Sequence, residues 1–63
     1  MNIKQIKTVM RGILDKERVW GYMDLIYKSA KVLNIKTIPY NTFIMWKGIA
    51  NKLLYRHALN KKL

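Results

Sequence analysis

The sequence predicts an all-α fold, a small three-helix domain occupying residues 1–63, on three observations. Apolar residues recur with a helical period of about 3.6 through three successive stretches. Residues that stop and start helices separate those stretches, at Asp15 and again from Asn34 to Pro39. No stretch alternates as a strand does, apart from a short ambiguous patch at Ile35 to Tyr40.

The first stretch, residues 2 to 14, places Ile3, Ile6, Val9, Met10, Ile13 and Leu14 on one helical face, with Lys4, Lys7, Thr8 and Arg11 off it. Asn2 suits the N-cap, since its side-chain oxygen can accept from an unpaired N–H of the first turn. Gly12 weakens the helix by about 1 kcal/mol relative to Ala. Asp15 is expected to end this helix and to cap the next.

The second helix is expected from about Lys16 to Leu33. Val19, Met23, Ile26, Ala30 and Leu33 form its stripe, broadened by Trp20, Tyr22 and Tyr27. Glu17 suits the positive end of its dipole, and Lys28 and Lys31 the negative end. Gly21 marks a bend or a close helix contact. Asn34, tolerant of the left-handed conformation, ends it. Thr37 then reads as the N-cap of a third helix beginning near Ile38, because Pro39 fits only a helix's first turn. Phe43, Trp46, Ile49, Ala50, Leu53 and Leu54 carry the third apolar face, which frays by Asn60 to Lys62.

Sixty-three residues make one domain at most, and a domain of this size buries only about 60% of the surface its unfolded chain exposes. At 51% hydrophobic there is material for a small core, and the sequence has no cysteine to staple it or to bind a metal as thiolate. The longest apolar runs, Val19 to Met23 and Phe43 to Trp46, fall far short of the roughly 20 residues of a membrane-spanning helix. The N-terminus lacks the continuous apolar run of a secretory signal. These features lead to the expectation of a cytoplasmic protein, with secretion by a leaderless route left open.

Charge is the strongest functional signal. Thirteen Lys and Arg stand against Asp15, Glu17 and Asp24, a net charge of +10 spread along the whole chain. Such a surface attracts phosphate, on nucleic acid or on anionic lipid. His57, the only histidine, has no Cys, Asp or Glu near it in sequence, the three carboxylates are not paired with a nucleophile, and Gly12, Gly21 and Gly48 form no phosphate-cradling loop. No enzyme, metal site or cofactor is expected.

The stretch Ala30 to Phe43, AKVLNIKTIPYNTF, outlines a helix, a turn and a second helix. A small residue, Ala30, allows close approach, Leu33 and Ile35 anchor the turn, and Asn34 takes the turning position four residues after Ala30. Tyr40 and Phe43 then fall where the following helix should face the core. Over about twenty residues this segment resembles the helix-turn-helix family, with Asn34 in place of the usual glycine and Tyr40 in place of an aliphatic residue. The resemblance implies duplex DNA as partner, with Lys36, Thr37, Asn41, Thr42 and Met45 projecting towards a groove. Asn41 and Thr42 are then the base readers, joined by Thr37, since Asn pairs with adenine and Thr offers a hydroxyl or a methyl. Lys28, Lys31, Lys36, Lys47 and Arg56 hold phosphates without reading sequence.

The run Ile38-Pro39-Tyr40-Asn41-Thr42-Phe43 is also similar to the one that opens the DNA-contacting helix of the Rok family of Bacillus nucleoid repressors, winged-helix domains that prefer AT-rich DNA. That likeness covers about ten residues; this chain is one residue shorter there, and residues 43 to 59 read as helix where a wing needs a hairpin. It implies AT-rich steps as the target of Asn41 and Thr42. Modules of this kind commonly bind paired half-sites, and Trp20, Tyr22 and Tyr55 exceed what 63 residues can cover, so a homodimer through the first or third helix is expected.

Two other readings fit the composition. The exposed aromatics among lysines suit single-stranded bases or an anionic membrane, and the short, Cys-free, cationic, Trp-containing chain resembles the leaderless bacteriocins. A small phage-type inhibitor that docks on an acidic host protein is the third. The leading expectation is a small basic DNA-binding protein, bacterial or phage, nucleoid-associated and non-catalytic.

Overall fold

A computed structural model describes residues 2–62 as three helices, α1 (Ile3–Lys16), α2 (Tyr22–Val32) and α3 (Tyr40–Lys62). The all-α reading holds. α1 begins as its cap residue dictates: the Asn2 side chain accepts from the Gln5 N–H at 2.8 Å. Its buried face is Ile6, Met10, Ile13 and Leu14. Asp15 lies inside the helix and does not cap the next one, because Glu17, extended at φ −129° and ψ 153°, is where the chain leaves.

α2 starts at Tyr22, well after the expected Lys16. The reason is a tie that the helical pattern does not contain. The Asp24 carboxylate accepts from the Trp20 N–H at 3.0 Å, and Lys28 Nζ donates to the Arg18 carbonyl at 2.8 Å. The same ammonium stands 3.2 Å from Asp24 and 3.8 Å from Glu17. Residues 17–21 are held as a non-helical strap, with Val19 tucked against the core and Trp20 80% exposed. Gly21 occupies the N-cap position, and a Cβ there would meet nothing within 4 Å, so no close helix contact explains it.

With Val19 and Trp20 outside the helix, its buried face becomes Leu25, Ile26, Ser29 and Ala30, while Met23 and Tyr27 are exposed. Ser29 tolerates full burial because its hydroxyl donates to the Leu25 carbonyl at 2.7 Å. At the other end Asn34 adopts φ 57°, as its turning role required. The Ile35 N–H returns to the Ala30 carbonyl at 2.9 Å and the Asn34 N–H to that of Lys31 at 3.1 Å. This is the Schellman arrangement, which satisfies the last carbonyls of α2.

The chain then runs without helix to Pro39, and α3 begins at Tyr40. Thr37 is therefore no cap; the Pro39 carbonyl accepts from Phe43 N–H at 2.8 Å and opens the helix. Residues 33–39 make a longer connection than the roughly three- to four-residue turn of a helix-turn-helix. Tyr40 is 75% exposed and does not face the core, whereas Phe43 packs against it.

All three helices pack against one another. The core joins Ile6, Met10, Ile13 and Leu14 to Leu25, Ile26 and Ala30 and to Trp46, Ala50 and Leu53. α3, about 34 Å long at 1.5 Å per residue, accounts for the 36 Å long dimension of a molecule only 20 by 19 Å across. The surface, 4944 Å², exceeds the about 4,200 Å² usual for this mass. Part of the excess is apolar: Ile44, Met45, Tyr55 and Leu59 face outwards on α3.

Candidate nucleic-acid interface

The direction of the helices sets the charge distribution. Ile3 shares a groove with Ile44 and Met45, while Leu14 and Asp15 share a hollow with Leu53, His57 and Asn60. α1 and α3 therefore run parallel and start at the same end of the molecule. α2 lies across them, with Val32 beside Val9 and Gly12 of α1, and Tyr22 under Lys47 of α3.

The three carboxylates collect at the far end of α1. Asp15 lies in its last turn, Glu17 follows it, and Asp24 is drawn to Glu17 by their shared hold on Lys28. The Trp20 N–H donating to it, reinforced by Lys28 against partial desolvation, holds the Asp24 carboxyl below its ordinary value. The end where α1 and α3 begin has no carboxylate among the described residues. Two helix N-termini with their unpaired N–H groups open there, a setting that favours anions.

Thr37 and Asn41 are exposed at that end, Thr37 in the non-helical connection and Asn41 in the first turn of α3. Thr42 is half-buried and shares with Thr37 a shallow hollow of about 230 Å³ floored by Ile6, Ile35, Ile38 and Trp46. Thr37 and Thr42 are thus brought together, with Asn41 exposed next to Thr42 in the chain. Lys31 and Lys36 line one groove with Phe43, the residue that follows Asn41 and Thr42 in α3. Lys31 also stands 5.3 Å over the Tyr27 ring.

The other three expected phosphate ligands are placed elsewhere. Lys28 is engaged by Asp24, Glu17 and the Arg18 carbonyl, so its charge is already met by those two carboxylates. Lys47 is half-buried with its ammonium 5.2 Å over Tyr22. Arg56 lies about 22 Å along α3 from Asn41 at 1.5 Å per residue, in the hollow that also holds Asp15 and His57. Sequence spacing separated His57 from every carboxylate; the parallel helices bring Asp15 to its hollow.

Lys4, exposed in the first turn of α1, is the cation that sequence reasoning left out of the interface. Lys7 and Arg11 of α1 likewise converge with Lys52 and Arg56 of α3 on one groove. Their i, i+4 spacing within each helix was visible, but not that the two helices lie side by side. Of the aromatics, Trp46 is buried and Tyr22 half-buried, whereas Trp20, Tyr27, Tyr40 and Tyr55 are exposed. The Trp46 Nε1–H is buried with no hydrogen-bond partner among the described residues. No protein-family model matches this chain, and no curated protein or solved structure matches it either.

Proposed function

We propose that the chain is a small basic DNA-binding protein, a regulator or nucleoid-type architectural protein of bacterial or phage kind, acting without catalysis. The observation that supports this reading is the separation of charge. The carboxylates gather at one end, while Lys4, Lys36, Thr37 and Asn41 accompany two helix N-termini away from them, and Lys31 shares a groove with Lys36. In this reading the first turn of α3 enters a groove, in the manner of a helix-turn-helix reader whose N-terminal residues meet base edges. Asn41 reads adenine, Thr37 and Thr42 lie beside it, and the lysines hold phosphates. Two copies would bind as a homodimer, one on each of two paired half-sites, meeting away from the cations that line the α1–α3 groove.

The test is fluorescence anisotropy of labelled AT-rich and GC-rich duplexes with the protein and its Asn41→Ala variant. The wild type should prefer the AT-rich duplex by about tenfold, the discrimination of one bidentate contact, and the variant should bind both alike. Equal binding of both duplexes by the wild type would overturn the reading role of Asn41. Exposed Trp20, Tyr27, Tyr40 and Tyr55, the first two under Arg18 and Lys31, favour a second reading, insertion into anionic membrane surfaces as in leaderless bacteriocins. Leakage of anionic vesicles at concentrations that leave DNA unbound would support that reading instead.

A further inference from the structure

A recess lies between α1 and α3 and plays no part in the DNA reading. It encloses about 440 Å³. Ile3, Ile44, Met45, Ile49 and Leu53 form its floor, and Lys7, Arg11, Lys52 and Arg56 stand around it. Ile3 and Ile44 remain 46% and 45% exposed, too much for residues whose only role is the core of this chain. No carboxylate is among the lining residues; the nearest, Asp15, opens onto the adjoining hollow beyond Arg56.

Gly48 sits in the middle of this floor, exposed, inside a 23-residue helix. A glycine there weakens the helix relative to alanine, and nothing among the described residues demands it, since a Cβ would meet none of their atoms within 4 Å. A missing side chain with no internal purpose, at the centre of an apolar groove, points to something from outside that comes close to the α3 backbone.

From the apolar floor, the cationic rim and the open Gly48 we infer that the α1–α3 groove binds an acidic amphipathic helix of a partner protein. From Ile44 to Arg56 the groove runs about 18 Å, three turns of a docked helix. Apolar side chains at i, i+3, i+4 and i+7 of the partner fill the floor, the usual mode for a helix in a groove. Its flanking carboxylates meet Lys7 and Arg11 on one side and Lys52 and Arg56 on the other, each pair one helical turn apart. A second copy of this chain does not fit, because it would bring cations against cations. Duplex DNA is a poorer occupant, since the floor offers no donor to a phosphate or a base edge.

The probe is a labelled 18-residue helical peptide with Leu on one face and Glu on the flanks, compared with a scrambled peptide of the same composition. Anisotropy should show the amphipathic peptide binding at least tenfold more tightly than the scrambled one. The double variant Lys52→Ala/Arg56→Ala should lose about tenfold. Gly48→Ala should raise the Tm of the free protein by about 4 °C, the gain of an alanine in a helix of a small domain, and yet weaken the peptide about tenfold. Equal binding of the scrambled peptide, or a Gly48→Ala protein that binds as the wild type does, overturns the inference. So does a Gly48→Ala variant that leaves the peptide unaffected while weakening a DNA duplex or anionic phosphatidylglycerol vesicles, which would give the groove to those ligands.

Discussion

Replacing Asn34 by alanine probes the joint on which the α2–α3 geometry depends. Asn34 is the only non-glycine residue among those described with positive φ, at 57°. For an L-residue the left-handed region costs about 1–2 kcal/mol, and asparagine tolerates it because its short side chain can hydrogen-bond locally. Alanine has no such compensation and bears most of that cost, so Asn34→Ala should lose about 1 kcal/mol. Glycine carries no steric cost but gains unfolded-state entropy, and Asn34→Gly should stay within about 0.5 kcal/mol of the wild type. A chain of this length holds only about 3–9 kcal/mol in total, and in so small a domain 1 kcal/mol moves Tm by about 4–8 °C. Thermal unfolding followed by circular dichroism at 222 nm should therefore place the alanine variant about 4–8 °C below the wild type, with the glycine variant close to it. An alanine variant as stable as the wild type would refute the left-handed joint, and with it the Schellman return of Ile35 N–H to Ala30.

Asp24 is held below its ordinary carboxyl value first by the Trp20 N–H and then by Lys28, so its contribution is fully present above the unfolded value near pH 4. It is lost as pH falls through the lower folded value. Thermal melts between pH 7 and 2 should show that loss in the wild type, and Asp24→Asn should start less stable and fall less steeply. Lys28→Ala should lower Tm, by freeing the strap and leaving Glu17 and Asp24 without their cation, and should leave DNA affinity unchanged in an anisotropy titration. Trp46→Phe removes a buried N–H with no acceptor among the described residues, a relief of about 1–3 kcal/mol that offsets the lost volume. Its denaturant midpoint should stay near that of the wild type, while Trp46→Ala, at about 3–5 kcal/mol, should leave little folded protein.

Local signals were the legible part of the sequence. Asn2 caps α1, Asn34 turns the chain, and Trp46, Ala50 and Leu53 follow the helical period into the core, each decided within a few residues. The strap at residues 17–21 was not legible because its cause spans ten residues: Lys28 reaches back to Arg18 across a stretch that reads as helix. The start of α3 was placed two residues early because Pro39 reads as a first-turn residue, whereas its carbonyl opens the helix from the position before Tyr40. Tyr40, expected to face the core, points outwards from that first position. Within the candidate site, Thr37, Asn41 and Thr42 are close in sequence and stayed together. Lys28, Lys47 and Arg56 did not join them, because their placement depends on which helices run parallel and on which carboxylate each cation meets.

The salt dependence of binding to an AT-rich duplex tests the DNA-binding proposal most directly. Three cations, Lys4, Lys31 and Lys36, accompany the reading end, and each neutralised phosphate contributes about −0.9 to the log–log slope of affinity against salt. The wild type should show a slope near −3, Lys31→Ala and Lys36→Ala should each bring it about one unit closer to zero, and Arg56→Ala should leave it in place. A protein that does not bind the duplex at low salt, or a slope indifferent to Lys31 and Lys36, would contradict the assignment of that end to DNA.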